Sequence, residues 1–419
     1  MSAPNVPPVR PASSARVSSA ARMSSAARPG SPARTVPATT RTVPTTTRTA
    51  PGVPHGRLAL LAVGGLALIA GLTGALVLVG APMPATAVPL ASAHGPLMAM
   101  GFLGTVISLE RAVALGRPWG YASPLASALG AAALIAGSPS VAGLALAVGA
   151  ALLLALYAAF ARTDRSLHIA LQAAGAGAWL VAAGLLAIGM PVSVAVPWLA
   201  AFLVLTVTGE RLELARLGGL GTAVRRRFIV GAWIFVGGVS ASLALPDAGV
   251  RVGGIGLLVI AAWLARYDIA RRTVHMPGVT RYIATCLLAG YAWLAVAGAA
   301  WVLTGTTTGD AYDVRLHALF LGFVISMVLG HAPVIVPSVL RVPLPYHAWS
   351  YGALVVLHAG LVVRVLGGDV LGIPGGLEVG GILNVAAMLL FVAGSAAASG
   401  AEIGRRRVID GRRLRARTA

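Results

Sequence analysis

The sequence predicts an all-α fold, a polytopic membrane helix bundle of about twelve transmembrane helices. Of the 419 residues, 57% are hydrophobic and only 11% are charged, whereas soluble globular domains carry about a quarter charged residues. Several apolar runs reach the roughly 18 to 25 residues that cross a bilayer as a helix. The basic residues, all of them arginine, fall mainly on one side of these runs. These three observations indicate an integral membrane protein.

Residues 1–57 form a Ser/Thr/Pro/Ala-rich segment with arginines at regular intervals, and the first acidic residue of the chain is Glu110. So few large apolar groups cannot offset the entropy cost of ordering, so we expect a disordered cytoplasmic tail. Its arginines would be attracted to anionic lipids at the cytoplasmic face of the bilayer. A solvated tail that only sets topology is one alternative, and an organelle transit peptide is another.

Residues 58–400 are predicted to form the twelve-helix transmembrane domain, and residues 401–419 a basic cytoplasmic tail. Short polar or Gly/Pro-rich breaks separate the apolar spans, and little more than Ser138 and Pro139 separates the third from the fourth. The predicted spans are 58–80, 90–110, 122–138, 140–161, 167–190, 193–214, 228–246, 251–270, 281–304, 313–338, 348–367 and 376–399.

The arginines test this count independently. With the N-terminus inside, 29 of the 32 fall on the cytoplasmic side, and only Arg251, Arg315 and Arg364 remain outside. The positive-inside rule predicts such an asymmetry, which an eleven-helix arrangement would lose. We therefore expect a multi-pass protein of the cell membrane with both termini cytoplasmic. The net charge of +20 is spread along a membrane face, which argues against nucleic acid as a partner.

Short motifs recur along the chain. Glu110-Arg111 ends helix 2 and Glu210-Arg211 ends helix 6, and helices 2 and 10 each carry a histidine followed by Gly-Phe. These echoes suggest three four-helix pseudo-repeats, with coincidence in apolar sequence as the alternative. The Glu-Arg pairs favour structural pairing across helix ends over a proton relay.

Two histidines lie at matched depth on different helices. His94 is about five residues into helix 2 and His317 about five residues into helix 10, which places both roughly 7 Å below the outer side. Two imidazoles so placed are what a bis-His haem requires. Arg315, beside Tyr312, is predicted to pair with a haem propionate. The alternative is two unrelated histidines with hydrogen-bonded rings near the interface.

A further histidine on helix 10, His331, follows His317 by 14 residues. At 100° per residue the two would lie about 40° apart around the helix, on one stripe. Membrane b-type cytochromes carry paired histidines at about this spacing, and the helix resembles that arrangement. His331 is thus a candidate inner ligand, with His168 or His358 as its partner. The candidate metal ligands are His94, His317, His331 and His358.

Cysteine usage limits the metal chemistry further. Cys286 is the only cysteine, which excludes an intrachain disulfide, thiolate zinc sites and protein-ligated iron–sulfur clusters. Met98 follows His94 by four residues and Met327 precedes His331 by four, so each pair shares a helix face. Thioether with imidazole suits Cu(I) or a His/Met haem, whereas methionine in an apolar helix also serves packing.

Two local patterns resemble the NnrS family, multi-helix membrane proteins of bacterial nitrogen-oxide metabolism associated with haem and copper. They are His94-Gly95-Pro96-Leu97-Met98 with Gly101-Phe102 and Glu110-Arg111, and His317-Ala318-Leu319 with Gly322-Phe323 and Gly330-His331. Together they cover about 35 residues. The resemblance implies haem b, with copper as a further cofactor, and a role in nitric oxide metabolism or the response to nitrosative stress.

The layout is also similar to that of haem–copper oxidase catalytic subunits, in which helices 2 and 10 of twelve hold the low-spin haem. This chain lacks a histidine in helix 6 or 7, an adjacent His-His pair and a His-x-His motif in helix 10. Oxygen or nitric oxide reduction at an oxidase-type copper–haem centre is therefore not expected.

Two other classes of protein fit the sequence. One is a cofactor-free secondary transporter of a small or lipid-like solute, for which twelve spans, pseudo-repeats and a helix broken at Pro333 would suit. The other is a scaffold without chemistry. The sequence identifies neither a substrate nor an electron-transfer partner, and it does not decide whether the protein is an enzyme.

Overall fold

The computed structural model of the chain describes residues 54–216, 219, 221–306 and 308–418, with backbone only for 216, 407 and 410–418. Most of the chain in these ranges is helical, with short loops between the helices, and the ranges contain no β-strand. The main helices in chain order are α1 (His55–Leu78), α2 (Ala85–Leu115), α3 (Ala122–Ile135), α4 (Pro139–Phe160), α5 (Leu167–Ala187), α6 (Val192–Arg216), α7 (Thr222–Ala241), α8 (Pro246–Tyr267), α9 (Val279–Thr304), α10 (Asp310–Leu340), α11 (Ser350–Val370) and α12 (Gly376–Thr418).

The protein is a membrane-embedded, multi-pass helical bundle. In the described part of the chain, ten helices are long and apolar enough to cross a membrane, all of the main helices except α3 and α7. Helix α3 has 14 residues, fewer than the 17 or so that usually span the hydrocarbon core. Helix α7 has 20 residues but carries Arg225, Arg226 and Arg227 near its start. Both lie where the sequence predicts the third and seventh spans.

Consecutive helices pack side by side, α3 against α4, α4 against α5, α5 against α6, and α8 against both α7 and α9. Small residues permit close approach of helix backbones within membranes. Gly238 on α7 is such a contact, because a Cβ there would overlap the backbone of Gly253 on α8. Larger side chains fill the remaining space, as where the rings of Trp179 on α5 and Phe202 on α6 stack with centroids 5.0 Å apart.

The two predicted tails meet the described residues differently. The N-terminal tail, 1–57, lies outside the described residues except for 54–57, and α1 already begins at His55. At the other end α12 continues through the predicted tail to Thr418 and has 43 residues, about 64 Å at 1.5 Å per residue. In this extension Glu402 accepts hydrogen bonds from Arg405 and Arg406, one helical turn further on.

Three of the long helices contain a π-helical segment, Leu97–Leu103 in α2, Ala318–Ile325 in α10 and Val362–Val370 in α11. A π segment has i→i+5 hydrogen bonds, so it adds about one residue to the helix and rotates everything beyond it. Hydrophobic periodicity does not report such an insertion. Segments of this kind are frequent at functional sites.

The π segment of α10 is packed tightly against α9 at one glycine. A Cβ at Gly322 would lie 2.5 Å from Cβ and Cγ of Trp293, so we expect Gly322→Ala to destabilise the bundle by about 1–3 kcal/mol through overpacking. Gly177→Ala on α5 is the control, since nothing lies within 4 Å of a Cβ there. Denaturation of the purified protein in detergent micelles measures both, and equal stability of the two variants would contradict this packing.

Candidate functional site

One large cavity of about 910 Å³ opens among six helices, α1, α2, α6, α10, α11 and α12. Sites for small molecules and cofactors usually measure about 300–1,000 Å³ and are mostly apolar with a few polar groups. Leucine, valine and alanine make up the largest group of its lining residues, and His94 and His317 are among its polar members. We call it the His94–His317 cavity.

His94 presents one ring nitrogen for a ligand. Its Nδ1 lies 2.7 Å from the backbone carbonyl oxygen of Gly71 on α1. A carbonyl oxygen only accepts hydrogen bonds, so Nδ1 carries the proton in the neutral ring and Nε2 keeps its lone pair. Histidines that ligate metals have this arrangement, in which the second nitrogen donates to a carbonyl or carboxylate.

His317 has the same tautomer for a related reason. Its Nδ1 lies 3.0 Å from Oδ1 of Asp313 and 3.1 Å from the backbone oxygen of the same residue, one turn earlier on α10. Both atoms are acceptors, so in the neutral ring Nδ1 donates and Nε2 keeps its lone pair. His94 and His317 also interact electrostatically with each other. The structure therefore brings two imidazoles from different helices, each with a lone pair at Nε2, to one cavity.

Arg364 on α11 holds the Asp313 carboxylate. Its Nε donates to Oδ2 at 2.6 Å and its Nη2 to Oδ1 at 2.5 Å. This is the bidentate geometry that makes arginine–carboxylate pairs strong and specific in orientation. The Asp313 and Arg364 side chains are 20% and 10% exposed, and both line the cavity with His317.

Sequence reasoning missed this ion pair as part of the site. Arg315, predicted as the propionate partner, is buried and lies over the Tyr312 ring, 5.3 Å from its centroid. Of these two residues, Tyr312 lines the cavity and Arg315 does not. Arg364 stands there instead. Its signal in the sequence was its place among the three predicted outer arginines, and that of Asp313 was its position four residues before His317.

The expected alignment of His317 and His331 on one stripe of α10 assumes a regular α-helix between them. Residues Ala318–Ile325 between them form a π segment, and the added residue rotates the rest of the helix by about 100°. His331, 14 residues further along the helix, does not line the His94–His317 cavity. Its Nδ1 lies 2.6 Å from the Met327 carbonyl oxygen.

The surroundings of His331 are charged. Its Nε2 is buried and has no hydrogen-bond partner among the described residues. It interacts electrostatically with Arg211, Glu110 and Asp268. This polar environment is consistent with a ligand, a proton or a water molecule at Nε2, and His331 remains a candidate inner ligand.

His168 and His358, the predicted partners of His331, have other contacts. His168 bonds the hydroxyl of Ser166 and lies 3.7 Å from a carboxylate oxygen of Glu213. His358 accepts a hydrogen bond at Nδ1 from Trp293 Nε1, 2.9 Å away, and its Nε2 lies 3.4 Å from the Ser326 hydroxyl. Nε2 then carries the ring proton, so ligation of a metal by His358 would first require the Trp293 bond to break.

Pairing between the ends of α2 and α6 is present as expected. Nη2 of Arg111 donates to Glu110 Oε1 at 2.9 Å and to Glu210 Oε1 at 2.8 Å. This bridge ties together two helices that line the cavity at their other ends. Over the described ranges, no three residues among His, Cys, Asp and Glu come together as a metal site, so a metal bound by these side chains would have fewer such ligands.

Comparison with known proteins places the chain in a family without an assigned role. A family model described as a domain of unknown function, DUF8744, matches residues 57–400. The chain belongs to the DUF8744 family. No curated protein and no solved structure matches it. The residues matched by DUF8744 include the whole His94–His317 cavity. Because the family description gives no function, the chemistry of the cavity has to be inferred from its own residues.

Proposed function

We propose that this DUF8744 protein is a haem-binding membrane protein of the NnrS type that acts in nitric oxide metabolism or the response to nitrosative stress. The observation that carries the proposal is the pair of imidazoles at one cavity, His94 from α2 and His317 from α10, each with Nε2 free to ligate. The role in nitrogen-oxide chemistry comes from the sequence resemblance.

The residues at the cavity suit a haem in three respects. The volume of about 910 Å³ is at the upper end of the range for cofactor sites. Two histidines on different helices would supply the axial ligands. Arg364 uses two of its five N–H donors on Asp313 and keeps others for a propionate. A haem held in this way supplies one-electron redox chemistry, and the protein sets its orientation and environment.

A second metal position is a smaller part of the proposal. Met98 lines the cavity with His94, and a thioether beside an imidazole suits Cu(I). His331 would serve as an inner ligand, and its partner would be His168 or His358 after release of the hydrogen bond that each now makes. The electron-transfer partner is unidentified.

We further propose twelve membrane spans, with α3 and α7 crossing alongside the ten longer or less charged helices, and both termini on the cytoplasmic side of the cell membrane. The arginine distribution supports this topology, as does the helical state of both segments. The Gly-Phe pairs after His94 and His317 both lie in π segments, which favours equivalence of α2 and α10 in three four-helix units. Anionic lipids would bind the arginines of the cytoplasmic face.

Spectroscopy of the purified protein tests the proposal. Expression in a haem-replete host followed by purification in detergent is expected to give a Soret band and the split visible bands of a low-spin bis-His haem. Pyridine haemochrome analysis then gives the haem type and the number of haems per chain. A protein that is folded but colourless after haem-replete expression would contradict the central claim.

A secondary transporter is the second candidate. The cavity lies within the membrane domain, and three of the six helices around it are interrupted by π segments, as the irregular helices of transporters line their substrate sites. Haem content separates the two candidates. A colourless protein that accumulates a solute in proteoliposomes would favour transport.

A further inference from the structure

The two imidazoles at the His94–His317 cavity have chemically different partners. His94 Nδ1 donates to a neutral backbone carbonyl, that of Gly71, at 2.7 Å. His317 Nδ1 also faces a backbone carbonyl, that of Asp313 at 3.1 Å, and in addition it lies 3.0 Å from Oδ1 of the Asp313 carboxylate. Hydrogen bonds to ionised acceptors are roughly twice as strong as those to neutral acceptors. The two rings are thus unequal even without a bound ligand.

We propose that Asp313 is a positioning residue that makes His317 the stronger electron donor of the two histidines, and that Arg364 fixes Asp313 in this role. When a histidine ligates a metal through one ring nitrogen, a carboxylate that accepts a hydrogen bond from the other ring nitrogen orients the ring and raises its basicity. His317 Nδ1 has the Asp313 carboxylate beside it as well as a backbone carbonyl, whereas the hydrogen bond of His94 Nδ1 goes to a backbone carbonyl. The inference rests on the proposed function, because it takes Nε2 of both rings as the atoms that bind the haem iron.

Arg364 makes the arrangement rigid because it binds both oxygens of one carboxylate. Its Nη2 and the His317 ring share Oδ1, while its Nε takes Oδ2. Lysine has no such fork and would bind the carboxylate as a point charge. Asp313 and Arg364 also interact with two other charged or titratable groups, Asp369, on the same π segment as Arg364, and His94.

The first experiment needs no haem. In haem-free protein labelled with ¹⁵N-histidine, the Nδ1 proton of His317 is expected far downfield of that of His94, as suits a bond to a carboxylate. Asp313→Asn should move the His317 signal upfield and leave that of His94 in place. Asp247→Asn is the matched control, because Asp247 is also paired with an arginine, Arg251, at 2.7 Å. A His317 signal that is unchanged in Asp313→Asn would overturn the inference.

The second experiment uses the haem-loaded protein. A stronger donor stabilises ferric iron, so Asp313→Asn is expected to shift the midpoint reduction potential to more positive values while the low-spin spectrum is retained. Arg364→Lys should give a smaller shift in the same direction, and Asp247→Asn none. Haem affinity should fall by about 10–100-fold in Asp313→Ala, as is typical when the outer partner of a ligand is lost.

These outcomes separate the two claims. If the unaltered protein binds no haem, the proposed function fails, and the Nδ1 signals still decide whether Asp313 polarises His317. If haem binds but its potential is the same in Asp313→Asn and in the unaltered protein, the positioning role of Asp313 fails and the haem assignment stands.

Discussion

We expect His94→Ala and His317→Ala each to abolish the low-spin haem spectrum of the purified protein. Each change removes one of the two Nε2 atoms that the cavity presents, and an iron with a single imidazole cannot keep the bis-His state. Absorption and electron paramagnetic resonance spectra of both variants, at matched haem-to-protein ratios, measure the effect.

His275→Ala is the control, since His275 is exposed between α8 and α9. It should leave the spectrum unchanged. Retention of the low-spin signal in both His94→Ala and His317→Ala would show that the axial ligands lie elsewhere and would move attention to His331. Loss in only one of the two would leave one assignment standing and contradict the pair.

Arg364→Gln is expected to cause a large loss of stability. It leaves the Asp313 carboxylate, only 20% exposed, without its bidentate partner. Breaking a buried ion pair by removing one member costs on the order of 3–5 kcal/mol, because the remaining charge is uncompensated. Unfolding in mixed detergent micelles, followed by circular dichroism, measures the change in the free energy of unfolding.

The double variant Asp313→Asn/Arg364→Gln should recover part of that loss, since it leaves neither charge behind. Arg405→Gln is the matched control. Arg405 is an exposed residue of α12 that pairs with Glu402, and ion pairs of exposed arginines contribute little to stability. A double variant that loses as much stability as the two single changes added together would mean that Asp313 and Arg364 are not coupled.

The sequence was informative where one segment alone determines the outcome. Hydropathy placed the membrane helices, because a helix that crosses a bilayer must satisfy its own backbone and be apolar along its length. Counting residues from the helix start placed His94 and His317 at similar depth, and both line one cavity. The bridge from Arg111 to Glu210 was also foreseeable, since both residues end helices on the same side.

Features that depend on how two helices lie against each other were not foreseeable. The pairing of Arg364 with Asp313 needs the rotation and depth of α11 relative to α10, which no periodicity encodes. The angle between His317 and His331 around α10 was calculated for a regular α-helix, and the π segment at Ala318–Ile325 makes that calculation inapplicable. Hydropathy does not reveal such a segment, because apolar residues occupy α and π turns alike. The sequence offered His358 as a candidate ligand, and only the structure shows that its Nδ1 already accepts a hydrogen bond from Trp293.

The wall of the His94–His317 cavity comes from both ends of the membrane domain. Leu72 and Ala75 belong to α1, the first helix, and Gly381 and Asn384 belong to α12, the last. During biosynthesis the two histidines are therefore made well before the cavity can close around them. A chain stalled ahead of Gly376 would carry both histidines in a pocket that lacks its α12 wall, so the complete cavity exists only once translation has passed α12.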